Sequence, residues 1–424
     1  MLSERPRLGL VLSGGGARGA YEAGVLHYIR TALPAPYYTA PFQIITGASV
    51  GAINAAFVAA MAHDPLQQGL ALRGLWENVD QNRIFRRDWA AIGKFLARTV
   101  WGVVTNFVRT DPQRHRLPLA RHFVSLFDTA PFPKYLQQLI PFAQIRQNIA
   151  AGHLEALALT ATNLGTDRPE LFLQKAPAIA YRGAYEWHEA EIEACHLMAS
   201  AAIPFAFPPV RVNGTYFCDG GMRLNTPMSP AIHLGADRLL VIGMHTPDGN
   251  RPIITADDQR PGTGRLLAAI TEAVFSDRVR YDLEQLTRIN RIVAWGEAVY
   301  GPDFLARINA HILTSGERGD IADRGLKQID ALSVHPSRDL SEVFQEQLQD
   351  NPYLDETFSS YERFAMRLLD IDPREGREAF SYLMFAPKYL RALLDLGYQD
   401  AHARRDELIA FFEGAPLPSV FASA

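Results

Sequence analysis

Twice before Ala62 the chain runs from a short apolar stretch through a glycine turn into a helix-forming stretch. That repetition constrains the fold more than any other feature. Leu8 to Leu12 reads as a buried strand, Gly14-Gly15-Gly16-Ala17-Arg18-Gly19 as the turn, and about Ala20 to Arg30 as the helix. The pattern returns with Phe42 to Thr46, then Gly47-Ala48-Ser49-Val50-Gly51, then an alanine-rich helix to about Ala62. Strand, tight turn and helix in succession predict parallel strands with helical crossovers, an α/β sheet. Further strands are predicted at Leu154 to Thr162, at Arg238 to Gly243 and, as the last, at Lys327 to Val334. The run from His188 to Val210 reads as a helix that stops before Pro204.

The 424 residues are 48% hydrophobic, enough for one large domain with an extension or for two domains. After about His335 the sequence turns helical and acidic, and residues 381–412 read as paired amphipathic helices. A boundary is therefore expected near residue 340. A net charge of −4 gives no support for nucleic-acid binding. Two cysteines, Cys195 and Cys218, are too few for a disulfide framework. The first apolar run is too short for a signal peptide, and no stretch approaches the ~18 apolar residues of a membrane span. A cytoplasmic protein is expected, meeting membranes only at their surface.

The glycine turns limit the chemistry. Gly14, Gly16 and Gly19 spell G-x-G-x-x-G after a strand, which suggests a dinucleotide site. Such a site needs an acid ~20 residues later to hold the ribose, and "LPAPYYTAPF" offers none. The turn also lacks the Lys-Ser/Thr ending of a nucleotide phosphate loop. Exposed N–H groups at a helix N-terminus still suit a negative oxygen, including the oxyanion of acyl transfer. A tight turn with no ligand is the alternative. Gly47-Ala48-Ser49-Val50-Gly51 is G-x-S-x-G between a strand and a helix, the pattern of a nucleophile elbow.

A nucleophilic serine needs a base. His233 and His245 stand in no recognisable motif. Asp219 closes the aromatic run "TYFC" and is followed by Gly220 and Gly221, a common turn on its own. Beside an elbow serine, a desolvated carboxylate can serve as base. No metal-ligand spacing is present and no cofactor is called for.

Taken in order, these three motifs resemble the patatin-like phospholipases, over roughly residues 6–340. Supporting blocks are "SLFDTAPF", "ALTATNLGT", "ASAAIPFAFPPV" and Asn225-Thr226-Pro227. The resemblance implies a three-layer α/β/α sandwich with a mostly parallel sheet, and hydrolysis of lipid acyl esters by a Ser-Asp dyad without histidine. Ser49 would be the nucleophile and Asp219 the base. Gly14, Gly15, Gly16 and Arg18 would surround the oxyanion, with Gly19, Gly47, Gly51, Gly220 and Gly221 as motif glycines. Arg18 has a second reading, as a pin for the loop. Transfer of the acyl group to an acceptor other than water stays open, as does a membrane-surface effector whose hydrolysis a partner switches on. A histidine directly before the elbow serine would suggest malonyl-type transfer, and that position holds Ala48.

Between Arg83 and Arg121 lie nine Lys or Arg and two acids, Asp88 and Asp111. Ile92, Phe95, Val100, Val103 and Phe107 recur there at helical spacing. A basic amphipathic helix suits an anionic membrane surface, and a cap over the active site is the alternative. A C-terminal helical extension, residues 341–424, carries no catalytic motif. Packing against the sandwich, homo-oligomer formation and partner docking are all open for it.

Overall fold

The computed structural model describes residues 6–79, 81–85, 125, 127–204, 206–246, 279–314, 325–349 and 377–417. The predicted basic helix of 83–121 lies outside them beyond residue 85, as does most of the loop expected at 245–265.

A single sheet forms the middle layer. Strand β1 (Leu8–Leu12) pairs in parallel with β2 (Ile44–Ala48) and with β8 (Arg238–Ile242). Outward from these, β2 pairs in parallel with β3 (Ala156–Asn163), and β8 with β9 (Asp330–Val334). On the β3 side the sheet turns mixed: β4 (Arg168–Lys175) is antiparallel, and β5 (Glu186–Glu189) closes the edge parallel to β4. The order is β5-β4-β3-β2-β1-β8-β9, with a hairpin of β6 (Val210–Val212) and β7 (Thr215–Asp219) joined to β3.

Every residue of β1, β2, β3 and β8 is buried, as parallel strands covered on both faces must be. The period of two divides them between layers. Leu8, Leu10 and Leu12 face one hydrophobic cluster. It includes side chains of α1 (Gly19–Thr31), α2 (Val50–Ala60), α3 (Pro65–Glu77), α4 (Phe132–Leu139) and α5 (Phe142–Ala150). Val11 faces the other, with α7 (Met228–His233) and α8 (Val279–Tyr300). The α/β/α sandwich is thus present.

One predicted helix is corrected. Within 188–204 only α6, Ala194–Ser200, is an α-helix, started by a capping box between Glu193 and His196. The stretch before it includes the end of β5, whose four residues are all exposed. None of them is hydrophobic enough to mark an inward face except Trp187, so the alternation that marks a strand is missing from the sequence, and the backbone ladder to β4 makes the element.

The C-terminal segment belongs to the same core. After α9 (Phe304–Thr314) and β9 come α10 (Leu340–Gln349), α11 (Arg377–Leu383), α12 (Pro387–Ala403) and α13 (Arg405–Glu413). Phe344, Leu390, Leu394 and Phe411 join the cluster that Leu10 and Leu12 face. Two glycines let α1 and α12 meet backbone to backbone. A Cβ on Gly24 would lie 2.1 Å from the Leu394 carbonyl oxygen, and one on Gly397 would lie 2.2 Å from that of Tyr21. Among the described residues, no helix is long and apolar enough to cross a membrane.

Candidate active site

Strand β3 acts as the ruler that brings the two candidate catalytic residues together. Its Thr160 is paired with Ala48, the last residue of β2. The next residue, Ala161, is paired with Asp219, the last residue of β7. Strand β7 therefore occupies the lane that β2 vacates, and Asp219 arrives where the chain turns at Ser49. The Asp219 N–H donates to the Ala202 carbonyl at 3.0 Å, and Thr162 Oγ1 donates to the Asp219 carbonyl at 2.9 Å.

Ser49 sits at φ 51° and ψ −123°, on the positive-φ side of backbone space that L side chains rarely adopt. Such strain costs about 1–3 kcal/mol and persists only where the surroundings impose it. Here they do. A Cβ on Gly47 would fall 2.3 Å from the Gly51 carbonyl oxygen, and one on Gly51 would fall 2.5 Å from that of Leu12. The Ser49 N–H is held by Ser200 Oγ at 3.0 Å.

The resulting contact is short. Ser49 Oγ donates to Asp219 Oδ2 at 2.6 Å, while Asp219 Oδ1 accepts the Gly221 N–H at 2.7 Å. Both residues are almost completely withdrawn from solvent, Ser49 at 1% exposure and Asp219 at 0%. Burial pushes the Asp219 carboxyl up to about 7, against the opposing pull of its hydrogen bonds from Ser49 and Gly221. A carboxylate near that value can take a proton at neutral pH. The candidate histidines have other contacts: His233 Nδ1 contacts Ser229 of its own helix, and His245 Nε2 lies 3.3 Å from Tyr382 Oη.

The glycine turn divides its N–H groups. Gly14 N–H donates to the Asn225 carbonyl at 3.1 Å, and Arg18 N–H to that of Gly15 at 3.1 Å. Among the described residues, the N–H groups of Gly15 and Gly16 have no backbone acceptor. The turn is braced from behind by buried Glu22, which accepts from the Ser13 N–H at 2.7 Å and from Asn54 Nδ2 at 2.8 Å. Of the positions expected around an oxyanion, Gly15 and Gly16 thus have donors to offer, and Gly14 closes the loop instead.

Arg18 turns to the C-terminal segment. Its guanidinium, 1% exposed, donates through Nε to Ser381 Oγ at 3.0 Å and through Nη2 to Glu378 Oε1 at 2.8 Å, and lies 4.1 Å from the Tyr382 ring centroid. Burial alone would raise the Glu378 carboxyl, but the neighbouring Arg18 holds it below its ordinary value. The sequence offered one signal for this contact, the acidic character of the stretch far downstream. The pair Ser200–Ala202, which fixes both Ser49 and Asp219, appeared there only as a supporting block.

Behind Ser49 opens an apolar cavity, lined by Gly16, Ile53, Trp76, Leu136, Phe207 and Phe385 among others. Among the described residues, no three His, Cys, Asp or Glu side chains converge as metal ligands would.

A family model described as patatin-like phospholipase matches residues 10–232, and the chain belongs to that family. Solved structures similar to it include VipD from Legionella pneumophila, at 14% identity and a TM-score of 0.33 over 95% of this chain and 67% of that one. Another is the heterodimeric ExoU–SpcU complex from the type III secretion system of Pseudomonas aeruginosa. It is matched at 16% identity and a TM-score of 0.27 over 96% of this chain and 77% of that one. No curated protein sequence matches.

Proposed function

We propose that the chain is a serine acyl hydrolase of lipid esters, with Ser49 as nucleophile and Asp219 as its base. The observation that carries this reading is the 2.6 Å hydrogen bond from Ser49 Oγ to the buried Asp219 carboxylate, beside an apolar cavity. In the first step the Ser49 proton passes to Asp219 while Oγ bonds to the ester carbonyl carbon. The carbonyl electrons move onto oxygen, and the N–H groups of Gly15 and Gly16 stabilise that oxyanion. One such donor is typically worth about 3 kcal/mol of barrier. The oxyanion collapses, the ester C–O bond breaks, and Asp219 returns the proton to the leaving alcohol. Asp219 then takes a proton from water as the water oxygen bonds to the acyl carbon. Ser49 Oγ departs with a proton and the fatty acid is released. The cavity receives the acyl chain, since an apolar wall favours hydrocarbon by about 0.8 kcal/mol for each buried methylene. With glycerophospholipids or lysophospholipids as substrates, the chain works at a lipid surface.

Free fatty acid release from mixed phospholipid and lysophospholipid vesicles tests this reading. Wild type is expected to release fatty acid, and folded Ser49→Ala and Asp219→Asn to lose that activity. Activity persisting in Asp219→Asn would return the histidines to consideration as the base.

A further inference from the structure

Part of the cavity wall comes from a segment that the family match does not reach. Tyr382, Leu383 and Phe385 line it, although the matched region ends at residue 232. Phe385 faces Trp76 with ring centroids 6.5 Å apart and planes inclined by 11°, and meets Phe85 edge-on at 6.5 Å. Trp76 itself is fixed, because its indole N–H donates to Asn54 Oδ1 at 2.9 Å. Asn54 stands on α2 beyond Ser49 by about 7 Å of helix rise. The aromatic pair therefore borders the cavity several ångströms from the reacting oxygen, further along the path that an acyl chain would take.

The segment that presents Phe385 is anchored to the glycine turn at two points. One is the buried contact of Arg18 with Glu378 and Ser381. The other is Gly16, at φ +56°, where a Cβ would lie 2.1 Å from the Tyr382 carbonyl oxygen. Met384, next to Phe385, is buried in the common core. These contacts seat Phe385 in one position relative to Ser49.

We propose that Phe385, presented by residues 378–385, is a specificity-determining residue that limits the length and bulk of the acyl chain admitted beside Trp76. This rests on the acyl-hydrolase reading. A single methylene in an apolar pocket changes discrimination by roughly tenfold or more, and removing a whole ring at the wall opens room for several.

The experiment measures kcat/KM for p-nitrophenyl esters from butyrate through palmitate in wild type, Phe385→Leu and Phe385→Ala. The corresponding free fatty acids are titrated against the same variants in a Ser49→Ala background, which needs no turnover. Phe385→Ala is expected to shift the palmitate-to-butyrate ratio by tenfold or more, with Phe385→Leu between, and binding is expected to follow. A uniform loss of rate with the ratios unchanged would overturn the proposal. Phe385→Leu, which keeps an apolar side chain, carries the test if Phe385→Ala fails to fold. Esters hydrolysed with a profile indifferent to Phe385 would sink this inference and leave the hydrolase reading standing. Fatty acids bound with Phe385-dependent length preference, but no ester cleaved, would do the reverse.

Discussion

The two glycine turns at the ends of β1 and β2 look alike in sequence, yet different parts of the chain hold them. The elbow around Ser49 is closed by its neighbours: Gly47 packs on Gly51, and Gly51 on the end of β1. The Gly14–Gly19 turn is braced locally by Glu22 and is otherwise held from a distance, by Asn225, and by Glu378, Ser381 and Tyr382. A strained serine needs rigid local walls, because the strain must be imposed at that residue. A turn that presents donors can be positioned by remote contacts, and so can be joined to whatever else those contacts build. In this molecule they also build the cavity wall.

The difference can be broken by equal substitutions in the two turns. Gly51→Ala is expected to abolish activity and lower thermal stability most, because its Cβ meets the backbone oxygens of Leu12 and Ser13 at 2.5 and 2.6 Å. Gly16→Ala has an escape, since residues 377–385 can move off the turn. It is expected to leave the sandwich folded, speed proteolysis within the C-terminal segment and reduce activity, as limited digestion and a melting curve would show. Equal losses in the two variants would remove the distinction.

Smaller effects sharpen it. Glu378→Gln leaves buried Arg18 without its anionic partner, and urea titration is expected to show a loss of about 3 kcal/mol. Asp219→Asn is expected to act in the opposite direction on stability. The Asp219 carboxyl is raised in the folded state to about 7, so the fold prefers its neutral form and loses stability as pH rises from the unfolded value through about 7. The variant should therefore melt higher than wild type at about pH 8, with the gap closing towards about pH 4. A stability gap that did not depend on pH would deny the buried charge.

What the sequence made legible is what the chain decides locally. The strands around both turns, the elbow serine and the Asp-Gly-Gly turn each depend on a few consecutive residues, and each can be read from residue type and spacing. The alliance of Ser49 with Asp219 depends on the register of β3, in which Thr160 and Ala161 receive two different strands. No local pattern encodes that pairing, and the family resemblance supplied it. The distribution of donors in the glycine turn was hidden for a similar reason, since Gly14 answers to a carbonyl at Asn225. The edge strand at 186–189 was missed because it is short and polar and no residue of it is buried, so it carries no hydrophobic alternation. The close contact of α1 with α12 through Gly24 and Gly397 was not read either, because each glycine lies inside a helix whose partner is distant in sequence.

In the proposed mechanism, buried Asp219 draws the proton from Ser49. Labelling by a fluorophosphonate tests it directly, since the Ser49 oxygen must bond to phosphorus as fluoride leaves. Intact-protein mass spectrometry would follow the labelling rate between about pH 5 and pH 9. A single adduct on Ser49 is expected, forming faster as pH rises with a midpoint near 7, with slow, pH-independent labelling in Asp219→Asn. A rate in wild type that is flat across that range, or an Asp219→Asn variant that labels at the wild-type rate, would contradict it.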